Sequence, residues 1–160
     1  MTIEPFDRVV SDHGEVVWKV CRALLPAADA DDAWSETFIS ALRAYSDLRP
    51  GSNVRGWLVT IAHRKAIDQL RRSGRAPLPC SDLAERPAPD GIPEPRDEEL
   101  WAALAALPDK QRAAVVYHHV AGLPYVEVAP LIDSSVAAAR RSASDGIARL
   151  RAVYPKEKKP

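Results

Sequence analysis

Glycine is scarce in this sequence, at seven of 160 residues; cysteine occurs twice and methionine once. Few glycines beside abundant alanine favour helices over sheets. No apolar run approaches the ~20 residues needed to cross a bilayer, and the opening "MTIEPFDRVV" is acidic and leads into no apolar stretch, so no signal peptide is expected and a cytoplasmic chain is. Cys21 and Cys80 have no metal-ligand spacing and no evident partner, as expected of idle thiols in a reducing compartment. Also missing are a nucleophile motif, a phosphate-binding loop and a glycine-rich nucleotide fingerprint. His118 and His119 are adjacent, hence about 100° apart on a helix and unable to share a metal. Neither enzymatic activity nor a cofactor or metal is expected.

Net charge is also missing, since 22 Lys and Arg balance 22 Asp and Glu. A uniform basic field for nucleic acid is thereby excluded, but a local one is not. Residues 63–75 carry Arg64, Lys65, Arg71, Arg72 and Arg75 against the single Asp68, with His63 at their head. Residues 29–36 hold Asp29, Asp31, Asp32 and Glu36 and no basic residue. Such polarity predicts two faces for two different partners.

What is present is enough for two small cores, with hydrophobic residues at 46% and charged residues at 28%. Between Ser73 and Arg96 lie six of the fourteen prolines, Pro77, Pro79, Pro87, Pro89, Pro93 and Pro95. Proline removes an amide and restricts its predecessor, which predicts an extended linker between two helical domains. The expected organisation is a first domain over 1–72, a Pro-rich linker over 73–96, a second domain over 97–154 and a basic tail over 155–160.

In the first half, Phe6, Val9, Val10, Val17, Val20, Cys21 and Leu24 recur at helical spacing until Pro26. Asp29 to Asp32 are expected to cap the next helix, whose apolar stripe is Ala33, Trp34, Thr37, Phe38, Ala41 and Leu42. "RPGSN" at 49–53 is turn chemistry, with Ser52 or Asn53 able to cap the basic helix. In the second half a helix around Leu100, Trp101, Leu104 and Leu107 precedes one that restarts at "LPDKQ", runs through Ala113, Val116 and Val120, and stops at "AGLP". The short "YVEVAPLI", the turn "DSS" and a longer helix from Val136 to about Tyr154 give the order of a helix-turn-helix. Val136, Ala139, Ala143, Ile147 and Leu150 are expected to form the buried stripe of that last helix.

Two stretches resemble a known family. "DADDAWSETFISALRAY" with "RPGSNVRGWLVTIAHRKAIDQLRR" resembles the second region of bacterial sigma factors of the extracytoplasmic-function class, and "LWAALAALPDKQRAAVVYHHVAGLPYVEVAPLI" followed by "RRSASDGIARLR" resembles their fourth region. The resemblance covers nearly the whole chain apart from the linker. It implies an all-α fold: a region 2 helical bundle joined to a region 4 helix-turn-helix.

The implied function is that of a transcription initiation factor that binds RNA polymerase core and melts promoter DNA. For the melted promoter element the resemblance implies contacts from Arg55, His63, Arg64 and Arg71, together with Trp57. Trp57, Arg64 and Arg71 are spaced by seven, which aligns them along one stripe with a drift of about 20° per step; a ring beside guanidinium groups suits an unpaired base and its phosphate. A competing reading packs Trp57 against Trp34 and Phe38. His63 and Arg64 stand where the family has "ARN", replacing an amide that reads a base edge with a cation suited to phosphate or guanine.

For docking on the clamp helices of the polymerase largest subunit, the matching residues are Asp29, Asp32, Ser35 and Glu36, with Ser35 in place of the family's glutamine; the flap and an anti-sigma factor are the other implied protein partners. For the upstream promoter element they are Arg140, Arg141 and Ser144. The turn "IDSS", the opening "VAAARR" and Pro130 inside the short helix depart from the family pattern, and a proline there is expected to kink or truncate that helix. These departures keep a second function open, a degenerate sigma-like mimic that sequesters an anti-sigma factor without binding DNA.

Overall fold

A computed structural model of the chain describes residues 4–73 and 97–153. The linker expected over 73–96, past its first residue, lies outside the described residues, as do Cys80 and the expected basic tail. The chain divides into two compact units, Met1–Leu78 and Pro79–Pro160. Seven α-helices and no strand occur among the described residues, the all-α class that the sequence predicts.

The first unit holds α1 (Phe6–Leu24), α2 (Ala27–Ala44), a short 3-10 turn (Tyr45–Asp47) and α3 (Val54–Arg72), with each α-helix packed on the other two. α1 buries Val9, Val17, Val20, Cys21 and Leu24 at the spacing of a helical face. Burying a valine or leucine side chain contributes about 1.5–3 kcal/mol, so this seam is the main anchor of α1. Cys21 is fully enclosed and burial pushes its thiol up to about 12, which excludes it as a nucleophile.

Pro26 sets the junction with α2. The residue before a proline avoids helical angles, and Leu25 is extended at φ −134°, ψ 153°. Helix α2 therefore starts at Ala27, ahead of the acidic run. The capping role expected of Asp29 to Asp32 is corrected: Pro26 occupies the N-cap with no side-chain hydrogen bond, and only Asp29 lies in the first turn. Asp31 instead accepts from the Trp18 indole at 3.3 Å.

The stripe expected on α2 holds at Ala33, Thr37, Phe38 and Ala41, with Trp34 half-buried and donating to the Gly14 carbonyl at 2.9 Å. It fails at Leu42, which is 58% exposed beside Ile39 at 50%. Asn53 caps α3 as its short polar side chain suggested, accepting from the Gly56 amide at 3.1 Å.

The second unit holds α4 (Asp97–Ala105), α5 (Asp109–Val115), α6 (Tyr125–Leu131) and α7 (Val136–Val153). After Val115 the chain widens into a π-type turn over Val116–Val120, in which the Ala121 amide donates to the Val116 carbonyl at 2.9 Å, five residues back. Ala114 and Val115 at the end of α5 and Val116 and Tyr117 at the start of the wide turn are all buried, whereas Ala113 and Val120 are only half-buried. Gly122 ends this helix at φ 74°.

Pro130 falls in the last turn of α6, where few residues follow to be disturbed, and the helix stops one residue later. The turn that follows is a Schellman arrangement. The Ser134 amide donates to the Ala129 carbonyl at 3.0 Å and the Asp133 amide to Pro130 at 3.4 Å. Asp133 takes the left-handed position, φ 53°, that a glycine would hold without strain. Ser135 then caps α7, accepting from the Ala138 amide at 3.1 Å.

The seam of α7 differs from its expected stripe. Ala139, Ala143 and Gly146 are buried, Ile147 and Leu150 are half-buried, and Val136 is exposed because it lies in the first turn, beyond the reach of the underlying helices. Small residues let α7 approach α5 closely. A Cβ built on Gly146 would stand 2.6 Å from Val115 Cγ2 and 3.2 Å from the Gln111 carbonyl oxygen. Alanine normally gains ~1 kcal/mol over glycine inside a helix, but over-packing against a β-branched side chain and backbone costs ~1–3 kcal/mol. Gly146→Ala is therefore expected to destabilise the second unit by about 1 kcal/mol. Thermal unfolding checks this, and a rise in Tm would contradict the close approach.

Candidate functional site

Helix α3 has a buried apolar face and an exposed basic one. Leu58, Ala62 and Ala66, four residues apart, are buried with Val59 against α1 and α2. Arg64 and Arg71 lie on the far side and are exposed, with Trp57 one heptad earlier and half-buried. The stripe of Trp57, Arg64 and Arg71 is thus a feature of the folded unit.

Trp57 approaches the Tyr45 ring, with centroids 6.4 Å apart. Tyr45 contacts Phe6 at 5.3 Å, Phe6 contacts Phe38 at 6.4 Å, and Phe38 contacts Trp34 at 4.7 Å. The Tyr45 hydroxyl donates to the Glu4 carbonyl. Trp57 thus meets the core through Tyr45, and its indole is half-buried.

The structure does not bring Arg55 or His63 onto that stripe. Arg55 is exposed in the first turn of α3, and the pKa of His13 in α1 is lowered by burial and then by the Arg55 charge. His63 is half-buried and rotated about 100° from Arg64. Burial, and then the adjacent Arg64, holds its pKa below the usual histidine value of 6.5, so it is a neutral group at neutral pH.

On α2, Asp29, Asp32 and Glu36 fall at i, i+3 and i+7 on one face, with Ser35 beside them. Asp32 and Ser35 are exposed and Asp29 and Glu36 half-buried. Ile39 and Leu42 continue the line from Asp32 and Ser35, giving a surface that is acidic at one end and apolar at the other. Sequence reasoning missed Ile39 and placed Leu42 in the core; the signal was their spacing of four and seven from Ser35. Glu36 also forms an ion pair of 3.5 Å with Arg72, which ties this face to the end of α3. At its exposure such a pair contributes little to stability.

In the second unit Arg140, Arg141 and Ser144 are exposed early in α7, with Arg140 and Ser144 one turn apart on one face and Arg141 about 100° away. Arg140 lies over the ring of Tyr125, its Cζ 5.2 Å from the centroid. His118 stacks on the same ring at 3.9 Å and 15°. Arg112, in α5, is a residue that no sequence pattern singles out. It is 4% exposed, and its guanidinium donates to the carbonyls of Leu104, Ala105 and Leu107 at 2.9, 2.9 and 2.8 Å, closing the end of α4. Among the described residues no group of three His, Cys, Asp or Glu could hold a metal, and no helix is long and apolar enough to cross a membrane.

A helical bundle with an exposed basic stripe, together with a separate helix-turn-helix unit, defines a two-domain helix-turn-helix protein. Residues 9–76 match Sigma-70 region 2 and residues 97–150 match Sigma-70, region 4. The chain belongs to the extracytoplasmic-function sigma factors of bacterial RNA polymerase.

It is 33% identical to the RNA polymerase sigma factor CarQ of Myxococcus xanthus over 136 residues, covering 82% of this chain and 78% of that one. Identity to the ECF sigma factor SigE of Mycolicibacterium smegmatis is 32% over 155 residues, 91% of this chain and 60% of that longer protein. In fold it matches the sigma factor RpoE of Bartonella quintana, solved with the anti-sigma factor NepR, with a TM-score of 0.76 at 20% identity over 98% of this chain and all of the other. CnrH, solved with the cytosolic domain of CnrY, gives 0.67 at 24% identity over 96% of this chain and 89% of that one.

Proposed function

We propose that this chain is a transcription initiation factor, which binds RNA polymerase core in the cytoplasm, directs it to particular promoters and itself catalyses no reaction. The observation that carries the reading is the division of surface in the first unit. One helix turns Arg64 and Arg71 away from the core, and its neighbour presents Asp32, Ser35, Ile39 and Leu42. A basic stripe beside a half-open indole suits a separated DNA strand, with the ring available for base stacking and the guanidinium groups for phosphate.

The acidic end of α2, with Asp29 and Glu36 beside Asp32 and Ser35, suits basic groups on the clamp helices of the polymerase largest subunit. The exposed Ile39 and Leu42 next to it add apolar contact to that interface. Arg140, Arg141 and Ser144 take the upstream promoter element, reading base edges and phosphates from the start of α7. The flap of polymerase and an anti-sigma factor are further partners that family membership supports. Arg55 and His63 stand off the stripe and act at its margins, where Arg55 can meet a phosphate and the neutral His63 can offer a hydrogen bond.

Charge reversal tests the docking face. Asp32→Lys with Glu36→Lys places cations where basic clamp residues approach, and like-charge juxtaposition at an interface costs several kcal/mol. Affinity for core is expected to fall more than tenfold while circular dichroism stays helical. Unchanged affinity with an intact fold would remove α2 from the interface.

A further inference from the structure

Tyr125 is the first residue of α6, and its ring is part of a small ordered assembly on the surface of the second unit. His118, from the wide turn after α5, has Nδ1 2.8 Å from the Leu123 carbonyl oxygen. A carbonyl can only accept, so Nδ1 carries the hydrogen and the imidazole is tied to backbone. That fixed imidazole stacks on Tyr125 at 3.9 Å with planes only 15° apart. Arg140 of α7 then lies over the phenol ring, its Cζ 5.2 Å from the centroid. Tyr125 thus links the element before the turn to the one residue of the Arg140–Arg141 pair that shares a face with Ser144.

An arginine on a helix surface samples many rotamers, and a ligand that needs its planar fork must select one of them. A guanidinium held over an aromatic face is already restricted, and the cation–π attraction that holds it leaves its edge N–H groups free to donate. We infer that Tyr125, backed by His118, is a positioning residue for Arg140, holding its guanidinium aimed at a base edge or phosphate of the upstream promoter element. The inference rests on the reading that α7 meets that element. Tyr125 itself need not touch DNA, and its effect is confined to whatever Arg140 recognises.

The test uses holoenzyme reconstituted from core polymerase and the full chain, bound to a promoter duplex that the parent holoenzyme has selected from genomic fragments. Arg140→Ala is expected to weaken binding about tenfold and to relax preference at particular upstream base pairs. Tyr125→Leu should weaken binding about threefold and relax preference at those same base pairs. Tyr125→Phe keeps the ring and should bind as the parent does. In the double variant, Tyr125→Leu should add nothing to Arg140→Ala, because the residue it positions is gone.

A Tyr125→Leu penalty that persists in full without Arg140 would mean that the ring merely supports the fold, and would overturn the inference. Parental binding and preference by Tyr125→Leu, with Arg140→Ala weakened, would overturn it too while leaving the promoter reading of α7 standing. Parental binding by Arg140→Ala would overturn both.

Discussion

Arg112→Met is expected to cost the second unit about 3–5 kcal/mol, because three backbone carbonyls lose a charged donor at once. The substitution keeps much of the side-chain volume and removes every donor, so the carbonyls of Leu104, Ala105 and Leu107 lose their bonds from the guanidinium. Leu104 still accepts from the Leu107 amide at 3.1 Å, and a buried acceptor left without any partner costs about 1–3 kcal/mol. Asp109, 3.6 Å away and largely exposed, loses its partner at little cost. A domain of this size rarely has more than about 3–5 kcal/mol to lose, so the variant's second unit should be substantially unfolded at 37 °C. Arg112→Lys should fail almost as badly, because one ammonium cannot span three carbonyls arranged for a planar fork. Urea unfolding of the full chain followed by circular dichroism checks this: the variant should lose part of its helical signal before any denaturant is added. A transition superimposable on the parent's would show that the end of α4 holds without its buried cap.

The second large effect is on DNA. Arg64→Ala with Arg71→Ala removes two exposed charges from the outer face of α3 and leaves Leu58, Val59, Ala62 and Ala66 packed as before. Core affinity should therefore hold, while open-complex formation on a duplex promoter falls roughly 10- to 100-fold. Each lost phosphate contact should also flatten the dependence of binding on salt by about 0.7–1 in the log–log slope. A pre-melted bubble template should recover activity to the extent that the defect lies in separating strands. Parental opening rates at matched salt and concentration would remove this stripe from the mechanism.

How far these arrangements were legible depended on whether a local or a tertiary cause decided them. Asn53 was readable as a cap because a short polar side chain before a periodic run satisfies an amide three residues on, and it does so at Gly56. The two helical units, the helix-turn-helix order and the outward stripe of α3 followed from periodicity in the same way. Pro26 was readable as a stop, yet its effect on Leu25 moved the start of α2 to Ala27 and left Pro26, not an aspartate, at the cap.

Leu42 and Val136 both fit an apolar period and both lie near a helix end, where the pattern continues but the neighbouring helices do not cover it. Asp133 hid a left-handed turn position because that position usually announces itself with glycine. Arg112 sits in "DKQRAAV", a polar stretch that reads as surface; its burial follows from where α4 ends in space, and no local pattern records that. The ring of Tyr125 was likewise visible as a residue but not as a platform, since its partners come from positions 118 and 140.

The central claim, that the chain confers promoter-directed initiation, is tested most directly by run-off transcription on genomic fragments with purified core polymerase, in the presence and absence of the full chain. Discrete transcripts with fixed start sites should appear only when the chain is added, and should weaken with the Arg64→Ala and Arg71→Ala pair. A chain that binds core, or an anti-sigma factor, yet yields no transcript beyond core alone would contradict the account and leave a sigma-like mimic in its place.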